Sequence, residues 1–138
     1  MFYYMEPVTF YWTKAKSLNG CVVTDKENYF LGLQPVPFPE KPLGKKLTED
    51  LELKLSNDKV CKLGQYDARY MKNDSILEIL YLIKENDLKD LLNFEVVSAS
   101  VTMSKEEGVR TYVFKLHKSA LREQLACFLK EAEKKKKK

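Results

Sequence analysis

Apolar and polar positions alternate with a period of two along most of the 138-residue chain, and the period shifts toward 3.6 near the middle and again at the end. Val8, Phe10 and Trp12 alternate with Thr9, Tyr11 and Thr13, and β-branched and aromatic residues of this kind suit a pleated, half-buried surface. Ser17, Leu18, Asn19 and Gly20 supply a turn, and residues 21–24 and 29–33 form two further strands around the polar loop of Asp25, Lys26, Glu27 and Asn28. The three strands predict an antiparallel meander. Leu51, Leu53 and Leu55 alternate with Glu52, Lys54 and Ser56, and a turn at 56–59 leads into a partner strand at 60–63. Tyr66, Asp67, Ala68, Arg69 and Tyr70 fit either a strand or a covering loop. Val97, Ala99, Val101 and Met103 alternate with Ser98, Ser100 and Thr102, and Gly108 closes a turn. The return strand sets Tyr112, Phe114 and Leu116 on one face and Thr111, Val113, Lys115 and His117 on the other, so residues 94–117 predict a hairpin.

Ser75 with Glu78 three residues later has the spacing of a capping box, and Ile76, Ile79, Leu80 and Ile83 follow at helical spacing. This predicts a central buried helix, widened by Leu77 and Leu82. Asn86 or Asp87 then recaps a shorter turn carrying Leu88, Leu91 and Leu92. The second helical stretch, 119–133, places Leu121, Leu125, Phe128, Leu129 and Ala132 opposite Arg122, Glu123 and Lys130. It runs directly into Lys134, Lys135, Lys136, Lys137 and Lys138. Pro35, Pro37, Pro39 and Pro42 remove donors within eight residues, which predicts a rigid connector with no central strand through it.

These elements predict an α+β fold: an antiparallel sheet or partial barrel of about six to seven strands, packed by a central helix and a C-terminal amphipathic helix. Residues 1–133 are expected to form a single domain and 134–138 a disordered lysine tail. A partial barrel closed by a C-terminal helix is also the general shape of pleckstrin-homology-like binding modules, and the element order suits the head domains of certain coiled-coil assembly proteins. Both are likenesses of layout and rest on no motif.

Composition places the chain among folded domains, with 44% hydrophobic and 12% aromatic residues. The net charge of +4 belongs to the tail, because without the five terminal lysines 19 basic residues face 20 acidic ones. A basic nucleic-acid-binding face on the body would therefore require segregation of charge. No apolar run approaches the ~18 residues of a membrane span, and the aromatic opening, broken by Glu6 and Pro7, lacks the basic start of a signal peptide. Cys21, Cys61 and Cys127 are an odd number without CxxC spacing, which points to free thiols and a cytoplasmic or nuclear home.

Candidate chemistry is sparse. His117 is the single histidine, which leaves no histidine-pair metal site and one candidate base, expected on the surface. Cys127, within one helical turn of Leu125, Phe128 and Leu129, is expected to be buried and inert. Gly44, Lys45 and Lys46 lack the first glycine and the following Ser or Thr of a phosphate loop. The carboxylate pairs Glu49 with Asp50, Asp87 with Asp90, and Glu106 with Glu107 fall in turns or on charged faces. Phe2, Tyr3, Tyr4, Phe10, Tyr11 and Trp12 could stack bases, but Lys14 and Lys16 are the only cations nearby in sequence, so core packing is the favoured reading.

The expectation is accordingly a non-enzymatic protein-interaction module, with no cofactor and no metal, that offers a sheet edge or the face of its last helix to another protein. Leu121, Leu125 and Phe128, with Lys134, Lys135 and Lys136, are the candidate partner-binding residues. An electrostatic binder of nucleic acid or acidic membrane using the tail is the alternative, and a small ligand-binding protein with a pocket between sheet and helix is the second.

Overall fold

The computed structural model describes residues 3–37, 51–71, 76–102 and 108–136. The chain folds as β1 (Tyr3–Tyr4), β2 (Val8–Trp12), β3 (Ser17–Thr24), β4 (Tyr29–Val36), β5 (Leu51–Leu55), β6 (Val60–Leu63), β7 (Gln65–Met71), β8 (Ile76–Ile83), α1 (Glu85–Asn93), β9 (Val96–Thr102), β10 (Val109–Val113) and α2 (Ala120–Lys136). All strand pairs are antiparallel. The first sheet runs β1-β3-β4-β8-β7, with β2 also on β3, and the second runs β10-β9-β5-β6. The α+β class stands, with ten strands among the described residues where six to seven were expected.

One core fills the space between the sheets. Leu18, Val22, Leu31, Leu33, Ile79 and Tyr81 from the first meet Leu51, Leu53, Leu55, Leu63, Ala99, Val101 and Tyr112 from the second. Two irregularities join the sheets at their margins. At Gly64 the chain passes from β6 into β7, and the Gly64 carbonyl accepts the Leu82 N–H at 2.9 Å, so one continuous strand turns the corner between layers. Opposite, the register of β2 on β3 shifts between Thr9 and Tyr11, and the displaced Phe10 carbonyl accepts the N–H groups of both Lys115 and Leu116 at 3.0 Å. The Phe10 ring stacks on Phe114 at 4.3 Å and against Gly20, where a Cβ would come within 2.8 Å of the Gly32 carbonyl. Gly20 is thus required by close approach rather than by its dihedrals.

The meander of β2, β3 and β4, the β5–β6 hairpin and the β9–β10 hairpin form as expected, except that Ser17 to Gly20, expected as a turn, open β3, and the turn lies between Thr13 and Lys16. The central helix over 76–83 does not. That segment is β8, paired with β4 on one edge and β7 on the other. Leu77, Ile79, Tyr81 and Ile83 enter the main core while Leu80 joins Cys21, Val23 and Phe30 on the opposite face. A strand buried on both faces is apolar at almost every position and satisfies a helical period by default. Glu78 belongs to β8 rather than to a cap, buried and accepting the Gln34 amide at 3.2 Å; Ser75 lies outside the described residues. The helix in this region is α1, on the stretch read as a shorter turn, with Leu91 buried and Glu85 and Asp87 in its first turn.

Three smaller differences follow from backbone geometry. Pro35 lies within β4 opposite Leu18, at the end where β8 no longer pairs, so its missing donor costs no ladder bond there. Pro39, Pro42, Met103 and Gly44 to Lys46 lie outside the described residues. The β5–β9 register shifts between Lys54 and Leu55, which turns Val96 inward and Val97 outward against the strict alternation. Leu116, past the end of β10, is exposed rather than aligned with Tyr112 and Phe114.

α2 packs on α1 and along β3. Between β1 and β2 the Met5 N–H still donates to the Val22 carbonyl at 3.0 Å, but the edge of β3 is interrupted at Glu6 and Pro7, and Gln124 fills the break. Its amide oxygen accepts the Val22 N–H at 2.7 Å and its amide nitrogen donates to the Glu6 carbonyl at 3.1 Å. The backbone of α2 continues to Lys136, three residues past the boundary expected for the domain, and Lys137 and Lys138 lie outside the described residues.

Candidate interaction site

The helix face expected to meet a partner is turned inward. Leu121 and Leu125 are buried in the main core, and Phe128 is half-buried with its ring centroid 6.3 Å from that of Tyr29. The stripe of α2 is the lid of its own domain, and Lys134, Lys135 and Lys136 extend that helix at its far end. The structure brings the apolar and cationic candidates onto one element, with Leu121 and Leu125 in the core.

The other expected surface is a sheet edge, and β10 supplies it. The Phe114 N–H donates to the Val97 carbonyl at 2.8 Å, and the register continues as Tyr112 opposite Ala99 and Arg110 opposite Val101. In an antiparallel ladder hydrogen-bonded pairs occur at every second residue. The N–H and C=O groups of Val109, Thr111 and Val113 consequently point away from β9, on the side where Lys115 reaches Phe10. Among the described residues β10 pairs with no other strand. The sheets meet at Phe10 and diverge along β10. Side chains span the gap there: Arg110 donates to the Pro37 carbonyl at 2.6 Å and to the Tyr112 hydroxyl, which lies 3.5 Å from the Val36 carbonyl.

The outer face beside this edge is uncharged. Val97, Ser98, Ser100 and Thr102 of β9 and Val109, Thr111 and Val113 of β10 carry no ionisable group, whereas β5 and β6 place Glu52, Lys54 and Lys62 on the same face. Val109 is 60% exposed and Val113 46%. The Ser100 and Thr111 hydroxyls lie 2.9 Å apart and tie the two strands at mid-face. Exposed edges usually carry lysine, proline or a bulge that blocks pairing. β10 has none of these outward; its one charge, Arg110, faces in.

The remaining candidates are placed elsewhere. His117 is exposed in the turn before α2, with positive φ. Cys127 is exposed, against expectation, because Leu121 and Leu125 face the core and residue 127 lies well round the helix from both; Cys21 and Cys61 are buried. Burial and the nearby Asp87 and Asp90 carboxylates push the Cys61 thiol up, so it stays protonated and unreactive. Asp90 accepts the Lys59 ammonium at 2.7 Å, which makes that carboxylate half of an ion pair. Glu49, Asp50, Glu106, Glu107 and Phe2 lie outside the described residues. Phe10 is core, Tyr11 packs edge-on against Tyr112, and Tyr3, Tyr4 and Trp12 are exposed. An open cleft of about 480 Å³ lies between the β3–β4 turn and the start of α1, with Tyr29, Ile83 and Leu88 among its lining and Glu27, Lys84 and Glu85 at its rim. No group of three metal-ligating side chains exists among the described residues, and no described helix is long and apolar enough to cross a membrane.

Comparison with protein-family models, with curated proteins and with solved structures finds no match.

Proposed function

We propose that this chain is a non-enzymatic protein-interaction module that takes an extended segment of a partner protein alongside β10. The outward backbone groups of Val109, Thr111 and Val113 carry this reading, since they form a ready template for one more antiparallel strand. The uncharged face of β9 and β10 suits a partner strand with β-branched, uncharged side chains at alternate positions. Six backbone bonds at about 1 kcal/mol each fall within the roughly 4–15 kcal/mol cost of association. Burial of Val109 and Val113 against the partner must supply the surplus. Buried Cys21 and Cys61 with an exposed Cys127 suit a reducing compartment, cytoplasm or nucleus.

A peptide-display selection against the full-length chain tests the reading. Enriched peptides should be extended and β-branched, and their binding should fall at least tenfold on Thr111→Pro, which removes an outward donor at an edge position. Val109→Lys with Val113→Lys is the companion variant that leaves the backbone intact. Selected peptides that bind both variants as they bind the parent would refute it.

A further inference from the structure

The two longest stretches without an acidic residue are 7–24 and 108–122, although the body as a whole is close to neutral. The fold joins them. The bulged Phe10 carbonyl holds the N–H groups of Lys115 and Leu116, so the end of β2 and the segment leading into α2 lie side by side where the two sheets meet. Trp12, Lys14, Lys16, Lys115, His117 and Lys118 are all exposed there. The turn carrying Lys14 and Lys16 is held by the Thr13 N–H on the Lys16 carbonyl at 2.7 Å and by the Thr13 hydroxyl on the same residue. Trp12, the last residue of β2, is 64% exposed and lies in one cross-strand row with Ser17 and Val36. An aromatic ring on a sheet surface with cations on two sides has the chemistry of a base-stacking platform beside a phosphate track.

We propose that this end binds single-stranded nucleic acid, with a base stacked on Trp12 and phosphates on Lys14, Lys16, Lys115 and Lys118. The site adjoins the Val113 end of the β10 edge through Lys115 and uses none of the terminal lysines. An acidic membrane is the less favoured ligand because the turn beyond Trp12 projects lysines, whereas insertion into a bilayer needs the apolar group foremost.

Trp12 is the chain's single tryptophan, so its emission reports on this site alone. Titration of the full-length protein with oligo(dT) at low salt should quench it, and four phosphate contacts predict a slope of log K against log salt of about −3. Followed by anisotropy of labelled oligo(dT), Trp12→Ala should weaken binding about tenfold, the scale of one stacked base. Lys115→Gln with Lys118→Gln should flatten the slope by about 1.4. A full-length chain with Lys134→Gln, Lys135→Gln, Lys136→Gln, Lys137→Gln and Lys138→Gln should keep the quenching. Absence of oligonucleotide binding, binding lost with the terminal lysines but indifferent to Trp12→Ala, or an emission blue shift on phosphatidylserine vesicles without quenching by oligo(dT) would each overturn the proposal.

Discussion

Replacing Gln124 separates a structural helix from a recognition helix. Its side chain supplies the bonds that β1 and β2 leave unmade where the edge of β3 is interrupted, at 2.7 Å to the Val22 N–H and 3.1 Å to the Glu6 carbonyl. Val22 has no exposed surface, so Gln124→Leu leaves its N–H in a dry site. An orphaned buried donor costs about 1–3 kcal/mol, and the loss of the second, more exposed bond adds about 0.5–1 kcal/mol. The expected total is about 1.5–4 kcal/mol. Gln124→Glu keeps the acceptor for Val22 and loses the donor to Glu6, which should cost about 1 kcal/mol at pH 7. Urea denaturation followed by far-UV circular dichroism measures both, with the m-value as the control for an unchanged folded state. Thermal midpoints should fall by about 3–5 °C for each kcal/mol in a chain of this size. A Gln124→Leu variant within about 0.5 kcal/mol of the parent, or no more costly than Gln124→Glu, would refute the reasoning. It would mean that α2 is only loosely laid on the sheet and free to leave it.

Four further outcomes follow from the same packing. Leu125→Ala should cost about 2–5 kcal/mol because Leu125 is fully buried, while Cys127→Ser on the exposed side should change stability by less than about 0.5 kcal/mol. Native protein at pH 7.5 should present one rapidly reacting thiol to a chromogenic disulfide reagent, abolished by Cys127→Ser; fast reaction of Cys61 would contradict its burial. Gly20→Ala should destabilise strongly, since a Cβ there meets the Gly32 carbonyl at 2.8 Å, and an unchanged unfolding midpoint would show that the Phe10 bulge relaxes easily. Burial pushes the Asp25 carboxyl up, but N–H bonds from Asn28 and Glu27 outweigh it and leave the group below its usual value of 3.8. A depressed carboxylate adds stability above the unfolded value and loses it as pH falls through the folded one, so the gap between parent and Asp25→Asn should narrow below about pH 4. A gap constant down to pH 2 would remove Asp25 from the acid limb.

Alternation carried most of the fold. β5, β9 and β10 show it because each has one wet face, and α2 shows its stripe because Leu121 and Leu125 meet the core once per turn. β8 was illegible for the opposite reason: with both faces buried it has no polar phase, and Ser75 with Glu78 imitated a cap. Its eight residues, rich in isoleucine, were the available counter-signal. Of the two surfaces, the one around Trp12 depends on a bulge and the other on strand order. Phe10 brings Lys115 beside β2 from about a hundred residues away, and nothing local in 8–12 announces it. The uncharged positions of β9 and β10 were visible in sequence, but that β10 ends its sheet follows only from β9 pairing with β5 on its other side.

Residue-resolved amide hydrogen exchange on the free full-length chain tests the edge most directly. Arg110, Tyr112 and Phe114 should exchange slowly because their N–H groups face β9, and Val109, Thr111 and Val113 should exchange fast because theirs face away. Alternating protection along β10 is the predicted result; uniform slow exchange from Val109 to Phe114 would show the edge already covered and contradict its role as a template.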